Sequence, residues 1–78
     1  MIDRFVTLPM CFVEEDELYV SELRLLPFSI EGYVETTVSY VDDDSLPHET
    51  RCVKIFLKSG NEFDIMMGVG EFEKIICG

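Results

Sequence analysis

Arg51-Cys52-Val53-Lys54-Ile55-Phe56-Leu57-Lys58-Ser59-Gly60-Asn61-Glu62-Phe63-Asp64-Ile65-Met66-Met67 is the stretch on which the fold turns. Two runs of strand-forming residues flank Ser59-Gly60, the pattern of a β-hairpin. A two-residue loop at Gly60-Asn61 would set Leu57 against Asp64 and Lys58 against Phe63, mixing apolar and charged groups on both faces. A three-residue loop, Lys58-Ser59-Gly60, with a left-handed Gly60 in a bulge sorts them. It pairs Leu57 with Asn61, Ile55 with Phe63 and Val53 with Ile65 on one mostly apolar face. Lys54 then meets Asp64, and Phe56 meets Glu62, on the other. A slip of one residue would exchange the faces, so the apolar pattern selects the bulged loop.

Beyond the hairpin, Gly68-Val69-Gly70 breaks the strand. Phe72, Ile75 and Ile76 then stand at i, i+3 and i+4, one face of a short terminal helix. Glu71 and Glu73 fall in its first turn, where the helix dipole favours negative charge. Upstream, Tyr33 to Val41 alternates, with Val34, Thr36, Val38 and Tyr40 on one side. This reads as a strand antiparallel to Arg51–Lys58 across a loop Asp42–Thr50, in which Pro47 ends the pairing. Arg4–Leu8 reads as a strand stopped by Pro9. Met10–Val13 and Leu18–Val20 can flank Glu14-Glu15-Asp16-Glu17 as a second hairpin; the competing reading is a helix from Glu14 to Leu25. Leu18, Ser21, Glu22 and Leu25 make a poor apolar face, so strands are preferred. The expected architecture is α+β: a small, mainly antiparallel sheet of four or five strands with a short C-terminal helix.

The 78 residues allow one domain, 1–78. A chain of this size buries only about 60–65% of its unfolded surface, yet 47% of the residues are apolar. Part of that surplus is available for a binding or self-association face, and the apolar content excludes a disordered chain. Cys11, Cys52 and Cys77 have no C-x-x-C spacing and no even count, which argues for buried, reduced thiols and not a secreted disulfide framework. Met1-Ile2-Asp3-Arg4 does not open a signal peptide, and no apolar window reaches the roughly 18 residues of a membrane span. The expected compartment is the cytoplasm, of the protein's own cell or of a host cell.

Charge is the strongest compositional signal, at sixteen Asp and Glu against six Lys and Arg for a formal net of −10. Direct binding to nucleic-acid phosphates needs basic residues, and an anionic membrane would repel the chain. A charge-selected partner is therefore basic. The plainer role of such acidity is to keep a small apolar protein in solution.

Chemistry is thinly represented. His48 lies in the loop Leu46-Pro47-His48-Glu49, which offers it only neighbouring acids as partners, and a general base needs a positioned partner and a pocket. Asp42-Asp43-Asp44 lacks the alternating ligands and central glycine of a calcium loop. One histidine and three scattered cysteines do not make a zinc site. Gly68-Val69-Gly70 has neither the third glycine of a dinucleotide fingerprint nor the Gly-Lys-Ser/Thr of a P-loop. The sequence is read as non-enzymatic, with no cofactor and no metal.

Seven of the sixteen acids lie in two runs, Glu14, Glu15, Asp16, Glu17 and Asp42, Asp43, Asp44, both expected at turns. Brought to one edge of the sheet, they would imitate spaced phosphates and occupy the basic groove of a nucleic-acid-binding protein. In composition the chain resembles the small acidic inhibitors that phages make against host nucleases, the anti-CRISPR class among them. That resemblance implies a basic nucleic-acid-binding protein as partner. The alternative is a self-associating structural or regulatory module, a homodimer carried by apolar surface. Its candidate residues are Phe12, Phe28, Tyr40 and Phe56, the last on the face away from the apolar one.

Overall fold

The computed structural model describes residues 4–77; Met1–Asp3, read above as opening no signal peptide, and Gly78 lie outside the described residues. The elements are β1 (Val6–Glu14), β2 (Glu17–Leu25), a 3-10 turn (Pro27–Ser29), β3 (Ile30–Val41), β4 (Pro47–Leu57), β5 (Glu62–Ile65) and α1 (Val69–Cys77). The strands form one sheet in the order β2-β1-β5-β4-β3, antiparallel throughout, with α1 on one face. The class is small α+β, as the sequence predicts.

The β4–β5 hairpin has the bulged loop. Leu57 N–H donates to Asn61 C=O and Gly60 N–H to Leu57 C=O, both at 2.9 Å, with Gly60 at φ +97°. Val53 pairs with Ile65, Lys54 with Asp64, Ile55 with Phe63 and Phe56 with Glu62, the register that sorts the faces. Lys54 and Asp64 are register partners only: among the described residues the one ion pair is His48–Asp42.

On the helix side, Leu8, Leu25, Val53, Ile55, Ile65 and Phe72 form the core. Phe72 is fully buried and meets the Tyr33 ring edge-on at 5.0 Å. Val69 and Ile76 pack against the same cluster. Ile75, expected on this face, is 38% exposed; Val69, three residues before Phe72, takes its place.

Two prolines expected to interrupt strands do not. β1 runs through Pro9 and β4 begins at Pro47, so the β3–β4 turn spans only residues 42–46. The reason is the same in both. Val41, opposite Pro47, sends its N–H away from β4 to Asp16 C=O at 2.7 Å. The Val41–Pro47 pair is therefore a non-hydrogen-bonded one that needs no donor at Pro47. Pro9 C=O accepts Met66 N–H at 2.7 Å, so the amide side of Pro9 faces β5 where β5 has just ended. β5 is only four residues long, and each proline's missing N–H falls on a side where β5 has already ended.

The sheet is strongly coiled, and β1 and β4, on either side of β5, approach on the face away from α1. Cys11 and Cys52, from strands that flank β5, bring their sulfurs to 3.5 Å and are both buried. Both β1 and β2 approach β3 at the far side of the sheet order. The Asp16–Val41 hydrogen bond closes this approach, tip to strand end.

The β1–β2 hairpin, preferred over the helix reading, turns at Glu15-Asp16 with Glu14 opposite Glu17. Glu15 and Asp16 sit at φ 52° and 66°, both left-handed, as a two-residue hairpin loop demands. Asn and Gly accept that conformation readily; glutamate does not. Replacing Glu15-Asp16 by Asn-Gly is expected to stabilise the fold by about 1 kcal/mol. A rise of roughly 5 °C in Tm should follow, measurable by thermal circular dichroism.

Candidate functional site

The coil of the sheet joins the two acidic runs. Asp16 C=O accepts from Val41 N–H, and Val41 adjoins Asp42-Asp43-Asp44. Between the tips lies a cleft of about 410 Å³, lined by Asp16, Ser39, Tyr40, Val41, Pro47, His48 and Glu49. A second, of about 260 Å³, is lined by Glu17, Leu18, Tyr40, Val41, Asp42 and Asp43. The structure therefore puts the candidate residues Glu14, Glu15, Asp16 and Glu17 beside Asp42, Asp43 and Asp44. Phe56 is not among them. It is half-buried, paired with Gly32 and Glu62, at the opposite end of the β3–β4 hairpin from Asp42–Asp44.

The acids differ in what already occupies them. Asp42 organises its turn: Oδ1 accepts Asp44 N–H and Leu46 N–H, each at 2.9 Å, and Oδ2 lies 2.6 Å from His48 Nε2. The His48 hydrogen bond, then the Leu46 amide, hold the Asp42 carboxyl below the usual carboxylate range. An ionised carboxylate only accepts, so the Nε2 proton of His48 points at Asp42. Glu17 accepts the Tyr19 hydroxyl at 2.9 Å. Glu14, Glu15, Asp16, Asp43 and Asp44 are exposed, and their side chains have no described hydrogen bond or ion pair.

A depressed folded-state pKa stabilises the fold above the ordinary aspartate pKa, and that contribution fades as pH falls through the folded value. Wild type is therefore expected to lose melting temperature more steeply than Asp42→Asn from pH 5 down to pH 3, the window in which aspartates titrate.

Each acidic turn is flanked by stacked rings. Phe12 and Tyr19 lie 5.4 Å apart at 17° beside Glu14–Glu17, and Tyr40 and His48 lie 5.2 Å apart at 18° beside Asp42–Asp44. Phe12 is 42% and Tyr19 43% exposed. The first pair is implicit in the sequence, since a two-residue turn at 15–16 puts positions 12 and 19 opposite each other.

His48 belongs to strand β4, not to a loop, and Asp42 and Tyr40 position it. Its described hydrogen bond is to Asp42 alone, so no nucleophile is set against it. Among the described residues no three of His, Cys, Asp and Glu converge to hold a metal ion. None of their helices is long and apolar enough to cross a membrane.

The thiols divide two to one. Burial first, then the Cys52 hydrogen bond, push Cys11 up to about 12; burial also raises Cys52. Cys77, expected to be buried with them, is exposed on the last turn of α1. Thiolate is the reactive form, so native protein at neutral pH should show one fast-reacting thiol and release two more only on denaturation. Thiol titration with a chromogenic disulfide, with and without guanidinium, checks this.

Compared with protein-family models, with curated proteins and with solved structures, the chain finds no match.

Proposed function

We propose that this chain is a non-enzymatic binding protein that occupies the basic nucleic-acid-binding surface of a partner protein. It would act in the cytoplasm as an inhibitor by nucleic-acid mimicry, of the kind phages direct against host defence nucleases such as CRISPR effectors. The observation that carries the reading is the meeting of two acidic turns, distant in sequence, through the Asp16–Val41 hydrogen bond.

Two further features support it. All the non-glycine residues with positive φ among those described, Glu15, Asp16 and Ser45, lie in these two turns. Charge is thus kept at Glu15 against backbone preference, and such strain tends to gather at functional positions. Secondly, exposed carboxylates beside stacked rings present what a nucleic acid presents, anionic groups next to aromatic faces. Arginines and aromatic side chains that bind single strands recognise both.

The test uses the whole chain as bait, with capture from lysate at rising salt and then competition between the captured protein's nucleic acid and the chain. A basic nucleic-acid-binding protein, displaced from its nucleic acid and lost at high salt, is the expected result. Reversal to lysine at Glu14, Glu15, Asp16, Asp43 and Asp44 should abolish capture; a partner still held by that variant would sink the proposal. The second reading, self-association, is favoured by the free edge of β3.

A further inference from the structure

β3 is the last strand of the sheet, and its backbone has a readable phase. Val41 directs its N–H away from β4, so in an antiparallel ladder the residues at alternate positions before it do the same. Tyr33, Glu35, Thr37 and Ser39 therefore turn N–H and C=O groups to the side where the sheet order has no further strand; the β1–β2 turn meets that side at the Val41 end, where Asp16 accepts the Val41 N–H and lines a cleft with Ser39.

Natural proteins protect such edges with charge, proline or short length. The opposite edge, β2, is so protected, with Glu17, Glu22 and Arg24 in nine residues. β3 is not. From Tyr33 to Ser39 it carries one charge, Glu35, no proline, and the β-branched Val34, Thr36, Thr37 and Val38. Val34 is 50% exposed.

We propose that this edge pairs with the same edge of a second copy, antiparallel about a two-fold axis at Thr36. In that register Thr36 faces Thr36 of the second copy and Val34 faces its Val38, in the close, non-hydrogen-bonded positions. Glu35 faces Thr37 and Tyr33 faces Ser39, in the hydrogen-bonded positions that the backbone phase leaves free. No two like charges meet, and the Val34–Val38 row becomes continuous across the axis. A basic peptide would find only Glu35 to attract it along this edge, whereas a second copy finds every position matched. The surface adjoins the acidic turns at Ser39, which lines a cleft with Asp16, but it is carried by backbone and apolar groups and not by the acids, so its variants and those of the turns test the two readings apart.

The experiment is light scattering after size exclusion on the full chain, over a range of concentrations at low and high salt. The expected mass at high concentration is twice the 9.0 kDa of the monomer. High salt should tighten the dimer by screening the repulsion of two chains of net charge −10. Thr37→Pro removes an N–H that β4 does not use, so it should give monomer with unchanged circular dichroism. Val34→Lys, at an exposed position, should do the same if the proline variant fails to fold. In a Cys52→Ala, Cys77→Ser background, which removes the thiol opposite position 36 in the same chain, Thr36→Cys should cross-link two copies on mild oxidation. A wild type that stays monomeric at all concentrations, or a folded Val34→Lys protein that still dimerises, would overturn the proposal. Failure of Thr36→Cys to cross-link a dimeric protein would overturn the register.

Discussion

Phe72→Ala is expected to destabilise the chain by about 3–5 kcal/mol, the range for emptying a fully buried aromatic site. A domain of this length has only about 4–12 kcal/mol in total, so the variant should be largely unfolded or close to it. Phe72 is the only residue of α1 that is fully buried. It caps Leu8, Leu25, Val53, Ile55 and Ile65, which come from four different strands, so its loss uncovers the centre of the sheet. A helix of nine residues does not persist without such packing. Urea unfolding followed by circular dichroism should show the midpoint falling for Phe72→Ala. Ile75→Ala, on the same helix but exposed, should move it by about 0.5 kcal/mol or less. If the two variants behaved alike, α1 would not be seated as described.

That contrast also marks how far the sequence carries. Periodicity placed Phe72, Ile75 and Ile76 on one helical face, and Phe72 and Ile76 are indeed on it. Which residue at the margin of that face turns outward depends on where the sheet beneath it ends. The β4–β5 register was legible in full because only one loop length separates Val53, Ile55, Phe63 and Ile65 from the charged residues. A proline breaks a strand only where its missing N–H faces a neighbour, and the sequence does not say which side has one. Pro9 and Pro47 are tolerated because β5 stops at Ile65. The coil of the sheet, seen in the Cys11–Cys52 contact across β5, joins the acidic turns. Runs of acids at 14–17 and 42–44 are visible in the sequence; their meeting is a property of strand order and coil, which no local pattern encodes.

The acidic turns give the prediction with the largest effect on binding, and stability and binding should respond to it with opposite signs. Consider Glu14→Gln, Glu15→Gln, Asp16→Asn, Asp43→Asn and Asp44→Asn together, leaving Asp42 and Glu17 because their hydrogen bonds hold structure. Removing five carboxylates takes the formal net charge from −10 to −5. Glu14 stands directly opposite Glu17 across the hairpin, a like-charge pair whose relief contributes up to about 1 kcal/mol. The folded variant should therefore melt no lower than wild type. Binding to a basic partner should move the other way: the association rate should fall by roughly 10- to 1000-fold at low salt, because clustered charge steers the encounter. What binding remains should depend less on salt. Edge pairing of β3 should strengthen under the same substitutions, since the net charge of each copy is halved and the repulsion between them falls with the product of the two charges. Association rates by stopped flow or surface plasmon resonance, beside light scattering on the same samples, separate these effects. Acidity that served solubility alone would leave both the partner's rate and its salt slope unmoved. A slower, flatter association on an equally stable fold would tie the charge at 14–16 and 43–44 to recognition, with Asp42 and Glu17 serving the turns that present it.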